Sequence, residues 1–237
     1  ILTQEMSDSM KSDFCITHFF NPVRFMRLLE IVETPLMNIE KISSLRDFCK
    51  NELGKGIVNC NDTPGFIGNR IGVYAMQVAM YEALDRGLNV EIADALFGRP
   101  LGIPKTGVFG LYDLIGIDLM KDVLASFKKE LQENDPFMEV VKPHIIVEKL
   151  LEKGFTGNKG PGGFYETKTI DDNEIVKALN TSDMSYYDFD KVDLDIARRV
   201  EKEGIKALLN DESEYGLYAF AVLSKIINYS AFCIPEV

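Results

Sequence analysis

The chain reads as a mainly α-helical protein with a small α/β portion at its N-terminal end. Three observations predict this. Residues 14–20 (FCITHFF) and 27–33 (RLLEIVE) are short apolar runs of strand character, separated by the turn signal Asn21-Pro22. Residues 38–52 follow with helical spacing at Ile39, Ile42, Leu45 and Phe48. Beyond residue 64 the apolar residues recur at helical spacing in one segment after another, divided by glycine and proline.

Taken in order, Gly54 and Gly56 end the helix over 38–52, and Ile57-Val58 opens a short strand. Asn61-Asp62-Thr63-Pro64-Gly65 is a loop and helix start, with proline in the first turn. The longest helix is predicted over 65–87, with Tyr74 and Met76 in its core stripe. Another follows over 90–98, with Asn89 as candidate N-cap. Residues 102–107 form a loop, and Gly107 and Asp113 read as a turn and a cap. Helices are predicted over 108–115, 118–132 and 143–154; His144 lies in the first turn of the last and is assigned no chemical role. The run 157–163 (GNKGPGG) is a flexible loop, and the polar stretch 166–190 reads as a linker. Helices resume over 191–209 and 213–230. Gly72-Val73-Tyr74-Ala75 is echoed by Gly216-Leu217-Tyr218-Ala219, which suggests a duplicated helical unit.

With 237 residues, 46% of them hydrophobic, the chain can bury one large core or two smaller ones. Its formal net charge of -11 disfavours nucleic acid or an anionic membrane as partner, while leaving room for a local basic pocket for a phosphorylated ligand. Segment 64–87 has the length of a membrane span, but it holds Asn69, Arg70, Gln77, Glu82 and Asp85, and charge at the centre of a bilayer is costly. It reads as a buried helix, not a span. The cysteines at 15, 49, 60 and 233 show no C-x-x-C spacing, and the chain has 2 histidines, so no metal site is expected. Reduced thiols fit a cytoplasmic protein. Residue 1 is Ile and the C-terminal end stops in mid-pattern, as expected of a piece of a longer protein.

His18 and Glu30 stand out because they interrupt the two apolar runs. Alternation puts Phe14, Ile16, His18 and Phe20 on one face of the first strand, and Leu28, Glu30 and Val32 on one face of the second. If the strands fold back antiparallel across 21–26, one register sets His18 opposite Glu30. A carboxylate beside the imidazole would fix its tautomer and suit it to remove a hydroxyl proton. The residues equally allow a buried histidine bonded to backbone groups and a glutamate on a solvated strand face.

The order HFFNPV, LLEIVET and DTPGFIGNR resembles the L-3-hydroxyacyl-CoA dehydrogenases. GIPKTGVFGLYDLIGID and the second helical unit are most similar to the dehydrogenase part of multifunctional fatty-acid oxidation enzymes, where it is joined to an enoyl-CoA hydratase. The resemblance runs from about residue 14 to 165, and more weakly to 237. It implies the C-terminal end of a Rossmann domain over 1–62, a 6-phosphogluconate-dehydrogenase-like all-helical substrate and dimerisation domain over 63–165, and a linker with a truncated second helical domain over 166–237. It also implies NAD as cofactor, an acyl-CoA substrate, a homo-oligomer, and an associated or fused hydratase. By the same resemblance His18 is the base that takes the 3-hydroxyl proton and Glu30 orients it. Asn69 holds the substrate acyl group, Asn21 lies at the nicotinamide end of the cofactor, and Lys159 approaches NAD from the glycine-rich loop. Each of these has a plainer alternative: Asn21 as a turn residue, Asn69 as a helix polar group bonded to a neighbour, Lys159 as a solvated loop charge.

The chain departs from the family in two respects. It has no G-x-G-x-x-G, whose amides and helix N-terminus receive a dinucleotide pyrophosphate. The family's substrate-binding serine ahead of HFFNPV has no secure match among Ser7, Ser9 and Ser12. The 237-residue chain alone is therefore expected to have little or no dehydrogenase activity. Two other readings stay open at this stage. One is a β-hydroxyacid or sugar-acid dehydrogenase of the same superfamily, which would use a lysine base on the helical domain. The other is a non-catalytic helical assembly module, with 64–87 and 213–230 supplying its apolar surface.

Overall fold

The computed structural model describes residues 2–101, 103, 106–170, 173–189, 192 and 194–237. They form two compact units: the residues through Arg70 together with Cys233–Val237, and Ile71–Phe232.

The first unit is a three-stranded sheet with a helix on one face. A short helix α1 (Asp8–Lys11), unforeseen in the sequence, begins where the Ser7 hydroxyl accepts from Met10 N at 3.3 Å. Strand β1 (Cys15–Phe19) pairs antiparallel with β2 (Leu28–Glu33), and β2 pairs in parallel with β3 (Gly56–Asn59). Between β2 and β3, α2 (Ile39–Asn51) starts at Asn38, whose side chain accepts from Glu40 N and Lys41 N. Period-2 alternation then divides the sheet. Leu29 and Ile31 face α2 and join Ile42 and Cys49 in a core, flanked by Cys15, Phe19, Met37, Leu45 and Ile57. The opposite face carries Ile16, His18, Glu30 and Val32, so the apolar packing of one face fixes what the other displays. The C-terminal residues return to this unit. Asn61 N donates to Val237 O at 2.8 Å, and Arg70 bonds Glu236 at 2.9 Å.

Helix α3 (Gly68–Asp85) begins in the first unit and runs into the second. Pro64 lies in the turn ahead of it instead of in its first turn. The second unit continues with α4 (Val90–Leu96), α5 (Phe109–Ile115), α6 (Ile117–Glu130) and α7 (Ile145–Glu152). Asn89 occupies the N-cap position of α4, but its side chain makes no capping bond. Of the predicted loop 102–107, Gly102, Pro104 and Lys105 lie outside the described residues. His144 caps α7 through Nδ1, which accepts from Ile146 N at 3.2 Å.

The expected linker fails at 166–190. That stretch holds β4 (Tyr165–Ile170), β5 (Asn173–Leu179) and β6 (Tyr186–Asp188), an antiparallel sheet in that order. Its many charges suggested a solvated linker. Phe164, just ahead of β4, and Ala178 and Leu179, at the end of β5, are nonetheless buried, so the stretch packs on the protein instead of running free in solvent. Asp171, Asp172 and Asp190 lie outside the described residues. The helix predicted over 191–209 is broken at Gly204 into α8 (Asp195–Glu203) and α9 (Lys206–Leu209), with Lys191 and Asp193 outside the described residues. The last helix is α10 (Glu214–Cys233).

Helices α3 and α10, which carry the echoed tetrapeptides, pack on each other. Tyr74 stacks on Tyr229 with centroids 4.0 Å apart, the Tyr218 hydroxyl donates to Ala79 O at 3.2 Å, and Lys225 pairs with Glu82 at 2.7 Å. The buried Gln77 donates to Lys142 O and Val140 O and accepts from the Tyr112 hydroxyl. Of the polar groups that argued against a span in α3, Arg70, Gln77 and Glu82 thus have protein partners. Among the described residues, α10 is the helix long and apolar enough to cross a membrane by length and composition; its Tyr218, Ala219, Val222 and Tyr229 are core residues.

Two buried aspartates tie the second unit together. Asp94 accepts from Phe109 N (2.7 Å), Gly110 N (2.9 Å) and the Tyr165 hydroxyl (2.9 Å). Asp113, read from sequence as a cap, instead accepts from Phe164 N (2.9 Å) and Tyr165 N (2.8 Å) across the fold. Burial pushes Asp94 up to about 7 and Asp113 up to about 6, although the backbone donors pull the other way. Unfolded, both carboxyls release their protons near the ordinary 3.8. The folded chain therefore holds more protons between that value and the raised ones. The pair's contribution to stability is full at the acid end of the window and is lost as the pH rises through it. Denaturant midpoints of the wild type are thus expected to fall more steeply between about pH 5 and pH 7.5 than those of Asp94→Asn. Parallel profiles would show that Asp94 does not titrate in this window.

Candidate active site

The predicted register is the one observed. His18 lies opposite Glu30 in the β1–β2 ladder, and His18 Nδ1 is 2.6 Å from Glu30 Oε2. The second carboxylate oxygen is also engaged: Oε1 accepts from Ile67 N at 2.9 Å and from Gly68 N at 2.6 Å. Glu30 is 1% exposed, and its carboxylate sits against the first amides of α3, the donors a helix start leaves without intrahelical partners. Because a carboxylate accepts, Nδ1 carries the hydrogen and Nε2 presents its lone pair. The imidazole remains 29% exposed, so a ligand can reach the ring.

Aromatic rings set the imidazole's orientation. Phe20 meets it edge-on at 4.7 Å, and Phe66 lies at 5.7 Å. Phe66 has φ +49°, a left-handed conformation rare for a bulky residue. This sharp turn aims the next two amides at Glu30. A Cβ on Gly68 would stand 2.3 Å from the end of the Phe20 ring, so a larger residue there would have to displace the ring that packs on His18.

The other predicted residues are placed as follows. Asn21 is exposed in the loop after β1, and Asn69 is exposed in the first turn of α3, one residue past Gly68. Lys159 belongs to the second unit, where it pairs with Asp118 at 2.7 Å. The Lys159 hydrogen bond holds Asp118 below the usual carboxylate range. The glycine-rich loop bearing Lys159 is pinned by Asp113; a Cβ on Gly163 would lie 2.0 Å from Asp113 Oδ1. Sequence reasoning missed the Ile67 and Gly68 amides because a backbone donor leaves no residue-type signature. The positive φ of Phe66 leaves none either. Among the described residues no group of three or more His, Cys, Asp or Glu gathers to hold a metal.

Residues 1–63 match the 3-hydroxyacyl-CoA dehydrogenase NAD binding domain, and residues 65–167 match the C-terminal domain of the same family. The chain belongs to the 3-hydroxyacyl-CoA dehydrogenase family. A Rickettsia felis protein named as a fatty acid oxidation complex trifunctional enzyme is 37% identical over 236 residues, covering 100% of this chain and 32% of that protein. The mitochondrial hydroxyacyl-coenzyme A dehydrogenase of Sus scrofa is 38% identical over 157 residues, 65% of this chain and 48% of its own. Among solved structures, the 3-hydroxybutyryl-CoA dehydrogenase of Escherichia coli K12 aligns with a TM-score of 0.57 at 29% identity, over 70% of this chain and 33% of that one. The chain thus spans about a third of the length of the trifunctional relative.

Proposed function

We propose that this chain carries the proton-transfer and substrate portion of an NAD-dependent dehydrogenase that oxidises (3S)-3-hydroxyacyl-CoA to 3-ketoacyl-CoA in fatty-acid β-oxidation. The observation that carries this reading is the His18–Glu30 pair: Nδ1 bound to a buried carboxylate, Nε2 free to accept. Nε2 takes the proton of the 3-hydroxyl, and Glu30 stabilises the imidazolium that forms. Bound NAD supplies the acceptor for the hydride that leaves C3. Asn69, beside the amides that hold Glu30, would hydrogen-bond the acyl carbonyl, and Asn21 and Lys159 are the residues this reading assigns to the cofactor.

The chain has no G-x-G-x-x-G, so its residues supply only part of a dinucleotide site. The trifunctional name of the Rickettsia felis relative supports further activities in the full-length protein, in this reading a fused hydratase, and the exposed Leu217, Phe220 and Ile227 of α10 support a homo-oligomer. The four free cysteines support a cytoplasmic location.

The test is NADH-dependent reduction of acetoacetyl-CoA. The chain alone is expected to turn over little or not at all. Joined to a nucleotide-binding segment from a family member, it is expected to turn over at rates typical of enzymes, about 1–10³ s⁻¹. Robust activity of the chain alone would overturn its dependence on that segment. No activity in the joined protein, with NADH binding verified, would overturn the assignment.

A further inference from the structure

In a chain of net charge -11, one cavity inverts the balance. A groove of about 700 Å³ in the first unit, between the C-terminal end of α2 and the edge strand β3, is lined by Arg27, Arg46, Lys50 and Lys55 against a single acid, Asp47. It lies on the α2 side of the sheet, whereas His18 and Glu30 occupy the other face.

Of its four cations only Arg46 has an ion pair in the protein, with Glu33. Lys55 is 7% exposed, yet it has no carboxylate partner among the described residues. Its ammonium donates to Val23 O and, at 2.8 Å, to Met26 O, and lies 5.9 Å from the Phe19 ring centroid. An ammonium has three donors and is rarely buried without a counter-charge. Arg27 and Lys50 are exposed and form no ion pair among the described residues, and neither does Asp47. Arg46 bonds Glu33 and Asn59 through one terminal nitrogen, but its Nε is buried without an acceptor. Lys50 partly offsets the carbonyls that end α2. That accounts for neither Arg27, which comes from the start of β2, nor the buried Lys55.

We propose that this groove binds the phosphate groups of a nucleotide-type ligand, which serve as the missing counter-ion. Arg27 and Lys50 approach from two elements, and the guanidinium of Arg46 offers planar donors suited to phosphate oxygens. The volume suits a diphosphate with part of its nucleoside. The proposal does not depend on the dehydrogenase reading. The phosphates of coenzyme A and those of a free adenine nucleotide share this chemistry, and the probes below separate them.

The test is calorimetric titration of the 237-residue chain with inorganic pyrophosphate, ADP, coenzyme A, dephospho-coenzyme A and adenosine, with amide NMR to locate each binder. Pyrophosphate and ADP are expected to bind and adenosine not to bind, with affinity falling as salt rises from about 50 to 300 mM. Amide shifts are expected at Arg27, Arg46, Lys50 and Lys55 to Asn59. The exposed double variant R27E/K50E, its fold checked by circular dichroism, is expected to bind about tenfold more weakly or worse. Coenzyme A binding more tightly than dephospho-coenzyme A would assign the 3′-phosphate to the groove; equal binding would assign the diphosphate that both share with ADP. No phosphate binding at millimolar concentration, or unchanged binding by R27E/K50E, would overturn the proposal. So would shifts confined to His18 and Asn69, a result that would leave the proposed dehydrogenase intact.

Discussion

His18→Ala, in the chain joined to a nucleotide-binding segment, is expected to lower kcat for 3-hydroxyacyl-CoA oxidation by about 10²- to 10⁴-fold, the usual contribution of a positioned general base. KM is expected to change little, because Nε2 acts on the hydroxyl proton in the transition state and the acyl-CoA is held elsewhere. Stability should stay near wild type: the imidazole is part-exposed, and Glu30 keeps its two amide donors when the ring is gone. Steady-state kinetics with acetoacetyl-CoA and with a 3-hydroxyacyl-CoA check both directions, and added imidazole should restore part of the rate. Activity within about tenfold of wild type would mean that His18 is not the base.

Glu30 separates into two effects, one on chemistry and one on folding. Glu30→Gln preserves shape, and its carbonyl oxygen can still accept from Ile67 N and Gly68 N. Its amide NH₂, however, now faces Nδ1 where a carboxylate oxygen stood at 2.6 Å. The imidazole must turn Nδ1 into the acceptor, which puts the hydrogen on Nε2 and removes the lone pair the reaction needs. A kcat loss of about 10²- to 10⁴-fold with near-normal stability is expected. Glu30→Ala removes the acceptor altogether. The Ile67 and Gly68 amides are then orphaned in a part-buried site, at about 1–3 kcal/mol for each group left unsatisfied. Denaturant unfolding of Glu30→Ala and turnover of Glu30→Gln measure the two effects. Wild-type turnover in Glu30→Gln would dismiss the orienting role.

How much of this was legible in the sequence follows from which forces are local. Strand alternation is a two-residue period, so it placed His18 and Glu30 on matching faces, and a tight connection over 21–26 left few registers to choose from. Helical spacing located α2, α3, α6 and α7 to within a few residues for the same reason. The sheet β4–β6 escaped notice because the charges spread along 166–190 hide any period-2 alternation of apolar residues. The break at Gly204 was overlooked because an apolar stripe continues through it.

The site itself divides along the same line. By itself the sequence determined the chemical inventory: an imidazole and a carboxylate in two short strands, an asparagine in one turn motif and another just past a second, a lysine in a glycine-rich loop. Only the tertiary structure decided what holds them. Glu30 is gripped by amides 37 and 38 residues away, Lys159 is paired with Asp118, Asp113 spans from α5 to the loop before β4, and Lys55 is buried over a groove of unspent positive charge. These are contacts between elements distant in the chain, and half of them use backbone donors that every residue type carries alike. Local periodicity can say which way a side chain points. Which backbone amide or counter-charge it meets is settled only when packing brings the elements together.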